Sequence, residues 1–585
     1  MTASLTDPMD WRVSVAATGL LRPFNEAGVL DASDVLVAQR LTELSKEADE
    51  RVALAIAFAV RAVRGGSVCV DLATVREQVG AAVDLPWPEP AVWSAAVSAS
   101  VLAADPPVLH LDSGLLYLDR YWIEECRVAQ DVLALAGARR SGAVPDVARL
   151  FPDGYAEQRG AAELALSRAL TVLTGGPGTG KTTTVARLLA LLAEQAELDG
   201  RSGLRIALAA PTGKAAARLL EAVRAEVARL DPVDRARLPE LAATTMHRLL
   251  GWRPDSSSRF RHNRDNRLPH DVIVVDETSM VSLTMMARLL EAVRPDSRLI
   301  LVGDPDQLAS VEAGAVLADL VEGLAAATPT SDSPIARLVT PHRFGESIGA
   351  LAAAIRDGET GDALEVLAAG GDHVEWVDTE QPSAILRKVL VPHALALREA
   401  AVLGDGHAAL ATLEEHRMLC AHRRGPYGVA YWNRQVERWL SEQTDTPLWS
   451  AWYAGRPVLV TANDYGLGLY NGDTGVTVLR DGALRAVMSA SSGPVELATG
   501  RLADIETMHA MTIHKSQGSQ AGEVTVLLPP TDSRLLTREL LYTAVTRARE
   551  KVRLIGSADQ VRAAIERRAV RATGLSRRLR DAAAT

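Results

Sequence analysis

A glycine-rich loop between a predicted strand and a predicted helix most strongly constrains the fold of this chain. The sequence TVLTGGPGTGKTTT at residues 171–184 follows apolar β-forming residues and leads into the helical pattern TTVARLLALLAE. Glycines in such a loop let backbone N–H groups turn toward phosphate oxygens, and the helix N-terminus adds about half a positive charge. The segment therefore predicts a nucleoside triphosphate site on an α/β fold. The alternative, an accidental glycine-rich turn, does not account for the strand and helix around it.

Individual residues of this loop have predictable roles. Lys181 is expected to reach the β and γ phosphates, and the hydroxyl of Thr182 is expected to ligate Mg²⁺. The predicted nucleotide-binding residues are Gly175, Gly176, Pro177, Gly178, Thr179, Gly180, Lys181, Thr182 and Thr183.

An acidic pair follows a second buried strand. In VIVVDETSM, residues 272–280, Asp276 and Glu277 come directly after four apolar residues. Ligands of parallel sheets bind outside the carboxyl ends of the strands, so this pair is expected beside the nucleotide. Asp276 is predicted to hold Mg²⁺ and Glu277 to orient or activate the attacking water. The alternative is a surface turn, which the glycine-rich loop upstream makes the weaker interpretation.

The order of strands and helices defines the organisation of the chain. Four apolar runs, at residues 169–176, 204–211, 271–277 and 297–304, are each followed by a helical pattern. Strands separated by helices favour a parallel sheet covered on both faces. We predict a helical N-terminal domain at 1–130, one α/β domain at 131–338, a second at 339–455 and 506–585, and a small antiparallel β insertion at 456–505.

Composition bounds the cellular setting. The 585 residues are 48% hydrophobic and 23% charged, which is typical of a soluble globular protein with several domains. The net charge of −10 means that any nucleic acid must bind to local basic patches. The three cysteines are widely separated, and the N-terminus lacks the pattern of a signal peptide. We expect a cytoplasmic protein that does not associate with membranes.

Three further segments point to nucleic acid. ALAAPTGKAAARL, residues 207–219, is a second strand-to-helix junction, and a phosphate-binding turn there suits a nucleic-acid backbone. A third strand ends at Asp304 and Gln307, where a glutamine can sense the γ-phosphate. Lys515 and Arg547 lie in the second α/β domain, and Arg547 is a candidate arginine finger that acts when the two domains close.

These segments together resemble the full motif series of superfamily 1B helicases, and within it the RecD family, the alpha subunits of exodeoxyribonuclease V. The resemblance covers about residues 150–560 and rests on motifs in the expected order: GGPGTGKTTT, APTGKAAARL, TTMHRLLG, VVDETSM, VGDPDQLASV, HRF, NDYGLGLYNGDTG, TIHKSQGSQ and YTAVTRAR. It implies two RecA-like parallel-sheet domains of the P-loop NTPase class, with an SH3-like β insertion at 456–505 and an N-terminal domain that docks onto partner subunits.

The resemblance also assigns residues. Gln158 is similar to the residue that reads the adenine, and Arg343 resembles the arginine that contacts the γ-phosphate across the cleft. Gln307 resembles the sensor of that phosphate, and Arg547 the arginine finger. The family contacts single-stranded DNA at positions that correspond here to Thr212, His247, Thr512, His514 and Lys515.

Two basic segments leave alternatives open. The family inserts a strand-separating hairpin where this chain has residues 251–270, which carry five arginines. Two interpretations stay open: the arginine cluster contacts DNA, or the segment is a solvated loop that is merely basic. For the arginine-rich run at 561–580, a solvated helix is preferred over a contact with DNA or a partner.

The resemblance implies an ATP-dependent 5′→3′ DNA helicase and translocase that acts on single-stranded DNA and DNA ends in double-strand break repair. It would work as a subunit of a RecBCD-type helicase–nuclease with RecB- and RecC-like subunits. We find no separate carboxylate-rich nuclease constellation, so the chain itself is not expected to cut DNA. The alternatives are a stand-alone long-form RecD-like helicase, a regulatory subunit with a vestigial ATPase, and a metabolic P-loop enzyme.

Overall fold

The computed structural model describes residues 10–79, 84–201, 203–253, 256–327, 332–340, 346–445, 450–464, 466–490 and 493–584. None of the helices in these ranges combines the length and the hydropathy that are needed to cross a bilayer.

The N-terminal region combines helices with a small antiparallel sheet of order β1-β3-β2. Phe24, Phe58 and Trp93 fill its core, and the rings of Phe24 and Phe58 meet edge to face at 5.7 Å. We predicted the helices but not the sheet, because strands of three or four residues are too short to show an alternating pattern. The elements are α1 (Leu21–Glu26), α2 (Ala32–Ser45), α3 (Glu50–Arg64), β1 (Cys69–Asp71), α4 (Val75–Val79), α5 (Pro90–Ala99), β2 (Leu109–Asp112), β3 (Leu115–Leu118) and α6 (Asp119–Gly137).

The first parallel sheet has the order β11-β4-β10-β9-β5-β6 and carries the glycine-rich loop. Strand β9 is fully buried, as its four consecutive β-branched residues require in a sheet covered on both faces. The elements of the first α/β region are α7 (Val147–Leu150), α8 (Ala156–Ser167), β4 (Leu170–Gly175), α9 (Lys181–Leu198), β5 (Ile206–Ala210), α10 (Gly213–Val227), α11 (Pro232–Arg237), β6 (Ala243–Thr245), α12 (Met246–Leu249), β7 (Trp252–Arg253), β8 (Ser256–Phe260), β9 (Val272–Val275), α13 (Leu283–Ala292), β10 (Arg298–Gly303), α14 (Val316–Ala327) and β11 (Ile335–Leu338).

The second α/β region begins with helices that flank its first two strands. These elements are α15 (Glu346–Asp357), α16 (Thr360–Ala369), β12 (Val374–Val377), α17 (Ser383–Val402), α18 (Gly406–Glu415), β13 (His416–Cys420) and α19 (Val429–Thr444). An antiparallel sheet of order β17-β16-β15-β14-β18 follows, where the β insertion is predicted. Its strands are β14 (Pro457–Val460), β15 (Thr474–Arg480), β16 (Ala483–Ala490), β17 (Gly493–Ala498) and β18 (Ile505–Thr507).

The chain then completes the second parallel sheet, whose order is β12-β21-β20-β13-β19. The remaining elements are β19 (Ala510–Thr512), β20 (Ala521–Leu527), α20 (Arg538–Val545), β21 (Ala548–Ile555), α21 (Ala558–Glu566) and α22 (Leu575–Ala584). The predicted fold class, two parallel-sheet α/β regions with a β insertion and a helical N-terminal region, is confirmed.

The C-terminal helix α22 departs from the prediction. We expected residues up to 585 to belong to the second α/β domain, but Leu575 and Leu579 of α22 are fully buried in the core that contains α14 and β10 of the first. The preferred interpretation of this segment as a solvated helix is therefore wrong for α22. Its apolar residues at i and i+4 form one stripe, and the stripe packs on the first region.

Candidate ATP site and nucleic-acid groove

The glycine-rich loop joins β4 to α9 in a left-handed backbone conformation. Gly178 and Gly180 have φ values of +81° and +85°, which glycine adopts without the steric cost of a Cβ atom. The Nζ of Lys181 donates hydrogen bonds to the carbonyl oxygens of Gly175 at 2.6 Å and Gly176 at 2.9 Å. The ammonium group of Lys181 therefore lies inside the curve of the loop, where phosphate oxygens would bind.

Two glycines of the loop stand where other parts of the molecule come close. A Cβ atom on Gly175 would lie 2.6 Å from the carbonyl oxygen of Leu338. A Cβ atom on Gly176 would lie 3.0 Å from the hydroxyl of Tyr542, which belongs to α20 of the second region. The loop thus faces the junction of the two α/β regions, which we call the seam.

Gln158 lies against the loop. It is buried in α8, and its side-chain amide donates a hydrogen bond to the carbonyl oxygen of Thr179 at 3.3 Å. This position is next to the nucleotide loop, as the adenine-reading role requires. The role itself stays a prediction.

The acidic pair lies at the carboxyl end of β9. Asp276 is fixed by the bond from its N–H to the carbonyl oxygen of Ala209 at 2.9 Å, and its Oδ1 accepts from the N–H of Glu277 at 2.9 Å. Glu277 has a φ of +51°, an uncommon conformation for a residue with a side chain. Burial and the neighbouring charge of Glu277 raise the pKa of Asp276 to about 7, against the ammonium of Lys181, which lowers it.

This donor set fits a magnesium ion. A threonine hydroxyl and a carboxylate offer the hard oxygen ligands that Mg²⁺ prefers. A cation beside Asp276 and Glu277 would offset the repulsion between two neighbouring carboxylates. Thr182 follows Lys181 in the first turn of α9, so both predicted ligands belong to the segments that border the loop.

A chain of buried polar side chains crosses the seam. Arg547, only 4% exposed, donates from Nη2 to Oε1 of Gln307 at 2.8 Å, and Gln307 in turn donates to Oδ2 of Asp304 at 2.9 Å. The hydroxyl of Tyr542 donates to the same carboxylate oxygen at 3.0 Å. The structure thus brings together Gln307 and Arg547, which are 240 residues apart in sequence.

Sequence reasoning missed several residues of this contact. The N–H of Leu308 donates to the hydroxyl of Thr543 at 2.9 Å, and its carbonyl oxygen accepts from the side chain of Gln517 at 2.7 Å. Thr543 precedes Arg547 by four positions across the end of α20, and this spacing is a signal that sequence analysis could have used. Gln517 lies in the TIHKSQGSQ motif but gives no signal of its role there.

Arg218 is a second arginine in the seam. It lies on α10, and its Nη1 donates to the carbonyl oxygen of Gly518 in the second region at 2.9 Å. Burial lowers the pKa of Arg218. The charge of Arg547 lowers this pKa as well, whereas the charge of Glu277 raises it. Arg343, the other predicted arginine, lies outside the described residues.

A cavity of about 710 Å³ opens at the same seam. Gly175, Gly176, Asp304 and Tyr542 line it, together with arginines from both regions, among them Arg356. Its volume is in the range of small-molecule and cofactor pockets. Lys181, Asp276 and Arg547 do not line this cavity, so it adjoins the predicted phosphate site without containing it.

The predicted DNA-binding residues lie on both α/β regions. Thr212 caps α10, since its Oγ1 accepts from the N–H of Ala215 at 3.2 Å, and Thr512 accepts in the same way from Lys515. Lys515 also pairs with Glu506 at 2.7 Å. A Cβ atom on Gly518 would lie 3.9 Å from the Oγ1 of Thr212, so the turns that carry the two sets of candidates meet.

Of the two histidines in the predicted set, His247 is exposed and His514 is half-buried. Partial desolvation of the ring lowers the pKa of His247, while the charge of Glu312 raises it. Burial also lowers the pKa of His514, and the charges of Arg571 and Arg423 add to the effect. Both imidazoles are therefore neutral at pH 7 and can act as hydrogen-bond or stacking groups rather than as cations.

The basic segment after α12 forms the short antiparallel pair β7–β8, with residues 254–255 outside the described part. Two of its arginines bind within the protein. Arg264 forms an ion pair with Asp131 at 2.7 Å, and Arg267 donates to the carbonyl oxygen of Val293. Arg264 therefore ties the segment to α6, and Arg267 ties it to the end of α13.

Three protein-family models match the chain, one in each of the three regions that carry the N-terminal sheet, the first parallel sheet and the second parallel sheet. Residues 158–313 match the AAA domain family, and residues 507–555 match the UvrD-like helicase C-terminal domain. Residues 26–117 match the N-terminal domain of RecBCD enzyme subunit RecD.

Similar proteins cover almost the whole chain. It is 69% identical over 563 residues to RecBCD enzyme subunit RecD of Mycolicibacterium smegmatis, covering 96% of this chain and 99% of that one. It is 67% identical over 569 residues to the same subunit of Mycobacterium tuberculosis, covering 97% and 98%. A more distant relative is the ATP-dependent RecD2 DNA helicase of Deinococcus radiodurans, 35% identical over 483 residues, which cover 80% of this chain and 59% of that helicase.

Proposed function

The chain belongs to the RecD family of RecBCD enzyme subunits, and from this membership we propose that it is an ATP-driven DNA helicase subunit that moves 5′→3′ along a single strand. The observation that carries the proposal is the contact of Arg547 with Gln307, beside the glycine-rich loop. An arginine from one α/β region held against the nucleotide face of the other is the arrangement that a closing ATP site needs.

The residues of the first region would hold the nucleotide. Lys181 and the backbone N–H groups of the loop neutralise the β and γ phosphates, and Gln158 lies where the base would be read. Thr182 and Asp276 would hold Mg²⁺, which supplies positive charge on the phosphate oxygens. Glu277 is proposed to orient a water molecule for attack on the γ-phosphate.

Arg547 links hydrolysis to movement. Its guanidinium donates to a neutral amide oxygen in the structure, and a charged phosphate oxygen is a stronger acceptor. Binding of ATP therefore draws Arg547 toward the nucleotide and closes the seam, and loss of the γ-phosphate releases it. Arg343 is proposed to act in the same way from its position before α15.

The DNA strand is proposed to run across both regions. Thr212 and His247 would contact it from the first region, and Thr512, His514 and Lys515 from the second. Opening and closing of the seam changes the distance between the two sets, so one cycle advances the strand. The direction rests on the family, and unwinding of 5′-tailed against 3′-tailed duplexes measures it; unwinding of 3′-tailed duplexes alone overturns it.

The partners and the setting also follow from the family. We propose that RecB- and RecC-like subunits complete the enzyme, that the chain itself has no nuclease activity, and that it works in the cytoplasm at DNA ends. A stand-alone helicase is the weaker alternative, because the chain is 69% identical to a RecBCD enzyme subunit RecD and 35% identical to the RecD2 helicase. Co-purification with RecB- and RecC-like chains distinguishes the two.

The deciding experiment is ATP hydrolysis with and without a single-stranded oligonucleotide. We expect DNA to stimulate hydrolysis by the wild-type chain, and the variant Lys181→Gln to be inactive with its thermal unfolding preserved. A chain that hydrolyses ATP at a rate indifferent to DNA is a metabolic P-loop enzyme, and an intact Lys181→Gln activity removes the site assignment. An inactive wild type supports the vestigial ATPase.

A further inference from the structure

The C-terminal segment leaves the second region abruptly. The N–H of Ala569 donates to Oε2 of Glu539 in α20 at 2.8 Å, so residue 569 still belongs to the second region. Two residues later the Arg571 side chain is bound to the first region and the N-terminal region. The exposed Val570 lies at the crossing. We call residues 571–584 the strap.

The strap continues as part of the N-terminal region. The carbonyl oxygen of Ala572 accepts from the N–H of Val68 at 2.8 Å, and the N–H of Ala572 donates to the hydroxyl of Ser67 at 3.1 Å. These bonds place the strap beside the start of β1. It is therefore fixed through its backbone as well as through its side chains.

A buried carboxylate anchors the strap. Glu125 of α6 is fully buried and accepts four hydrogen bonds, from Tyr117, Thr573, Gly574 and Arg578, at 2.8–3.1 Å. Three of the four donors belong to the strap. A buried charge with its acceptor sites filled holds its surroundings in one arrangement, because each lost donor leaves it partly unpaired.

Helix α22 fixes the other end of the strap. Leu575 and Leu579 are buried among the leucines of α14, and a Cβ atom on Gly323 would lie 2.9 Å from the Cβ of Leu579. Helix α14 follows the segment that carries Gln307. The strap is thus attached to both neighbours of that segment, the N-terminal region and α14.

Arg571 is the point where the strap meets this segment directly. Its Nη1 donates to the carbonyl oxygen of Ser310 and, at 3.1 Å, to that of Glu312, and it lies 3.5 Å from that of Gly66. The N–H of Gly314 donates to the carbonyl oxygen of Gly66 at 3.0 Å. Residues 310–314 are therefore held by the strap and the N-terminal region together.

The other end of the same loop is held by the second region. The backbone of Leu308 is bound by Thr543 and Gln517, one residue after Gln307. The loop at 308–314 therefore touches the ATP seam at one end and the N-terminal region at the other. Gln517, which binds Leu308, lies two residues after Lys515, a proposed DNA contact.

We propose that Arg571 is a positioning residue that couples the seam to the proposed DNA contacts of the second region and to the N-terminal region through the 308–314 loop. Closure of the seam moves Thr543 and Gln517 and pulls on Leu308, while Arg571 and Gly66 hold the far end of the loop fixed. Because Gln517 lies in the same segment as Lys515, the resulting tension in the loop reaches this proposed DNA contact. A partner docked on the N-terminal region would act on the same loop through Gly66. The inference rests on the proposed helicase function.

The test compares two strap arginines in the full chain. Arg571→Ala removes the grip on the loop. Arg577→Ala is the matched control, since Arg577 also donates to carbonyl oxygens, those of Ser113 and Asp112, but does not touch the loop. The readout is the ratio of the ATPase rate with saturating single-stranded DNA to the rate without it, and thermal unfolding is recorded for both variants.

We expect Arg571→Ala to lower the stimulation ratio by at least about threefold, and Arg577→Ala to leave it at the wild-type value. Both variants should lower the unfolding temperature by similar amounts. Arg571→Lys should restore part of the ratio, because one ammonium group can still reach a carbonyl oxygen. An equal fall of the ratio in Arg571→Ala and Arg577→Ala, or no fall in Arg571→Ala, overturns the inference. A wild type without DNA stimulation instead overturns the proposed function.

Discussion

The seam and the strap are two junctions of opposite chemistry on the same loop. The seam joins its two regions through buried polar side chains, Arg547, Gln307, Asp304 and Tyr542, with hydrogen bonds of 2.8–3.0 Å. The strap is held by leucines in a shared core and by a carboxylate with four donors. Polar bonds can be exchanged for bonds to phosphate oxygens, whereas an apolar core has no such alternative partner.

This difference indicates which junction moves. The seam is built from groups whose partners a nucleotide can replace, so it can open and close in each cycle. The strap buries apolar surface that stays buried only if α22 remains on α14. The first α/β region, the strap and the N-terminal region are therefore expected to move as one body, and the second region to move against them.

The largest effect is expected from a substitution that breaks the seam. Arg547→Ala should lower the DNA-stimulated kcat by about a thousandfold, because the proposed arginine finger would stabilise charge in the transition state. The unfolding temperature should fall as well, because alanine leaves the buried Oε1 of Gln307 without its donor. Arg562→Ala, an exposed arginine on α21, is the control and should keep wild-type activity. A variant at Arg547 that loses stability but retains its kcat shows that this arginine is structural.

The second prediction concerns a substitution that loosens the strap. Leu579→Ala removes a fully buried side chain and should cost about 2–5 kcal/mol of stability, seen as a lower midpoint for the first unfolding transition. Below that transition, ATP hydrolysis should continue. Leu403→Ala, at a leucine that is 77% exposed, should leave the midpoint unchanged. A smaller loss at Leu579 than at Leu403 contradicts the placement of α22 in the first core.

The sequence predicted one of these junctions far better than the other. Lys181, Asp276 and Arg547 lie in motifs with chemistry that the residue types reveal, and the parallel pairing of the strands follows from their alternation with helices. The strap offers no such signal. Arg571 binds carbonyl oxygens 261 residues away, and a backbone acceptor leaves no trace in the identity of its residue.

The N-terminal sheet and α22 show the same limit. The strands β1, β2 and β3 have at most four residues each, too few for a period of two to stand out. The apolar stripe of α22 is visible in the sequence, but the sequence does not identify the surface on which the stripe packs. Contacts between distant segments decide both features.

The third prediction sharpens the comparison through pH. The folded pKa of Asp276 is about 7, above its ordinary value of 3.8, so the folded chain binds the proton more tightly than the unfolded chain does. The protonated site contributes stability below pH 4, and this contribution is lost as pH rises toward 7. The Asp276→Asn variant stays uncharged, so its stability should not fall in this way as pH rises.

The measurement is the difference in unfolding temperature between wild type and Asp276→Asn from pH 4 to pH 8. We expect the variant to become more stable than the wild type as pH rises, by several degrees near pH 7. Mg²⁺ with a nucleotide should shrink the difference, since a cation offsets the charge. A difference that does not vary with pH would falsify the assignment of a raised pKa to Asp276.

The smallest expected effect removes one bond of the seam. Tyr542→Phe deletes the hydroxyl that donates to Asp304 and leaves the ring in place. Asp304 keeps its bond from Gln307, so we expect a loss of about 1 kcal/mol, which corresponds to a fivefold fall in kcat/KM for ATP if the bond supports the closed seam. Tyr431→Phe, at an exposed tyrosine of α19, is the control. A fall in unfolding temperature without a change in kcat/KM places this hydroxyl with the static contacts of the strap rather than with the moving contacts of the seam.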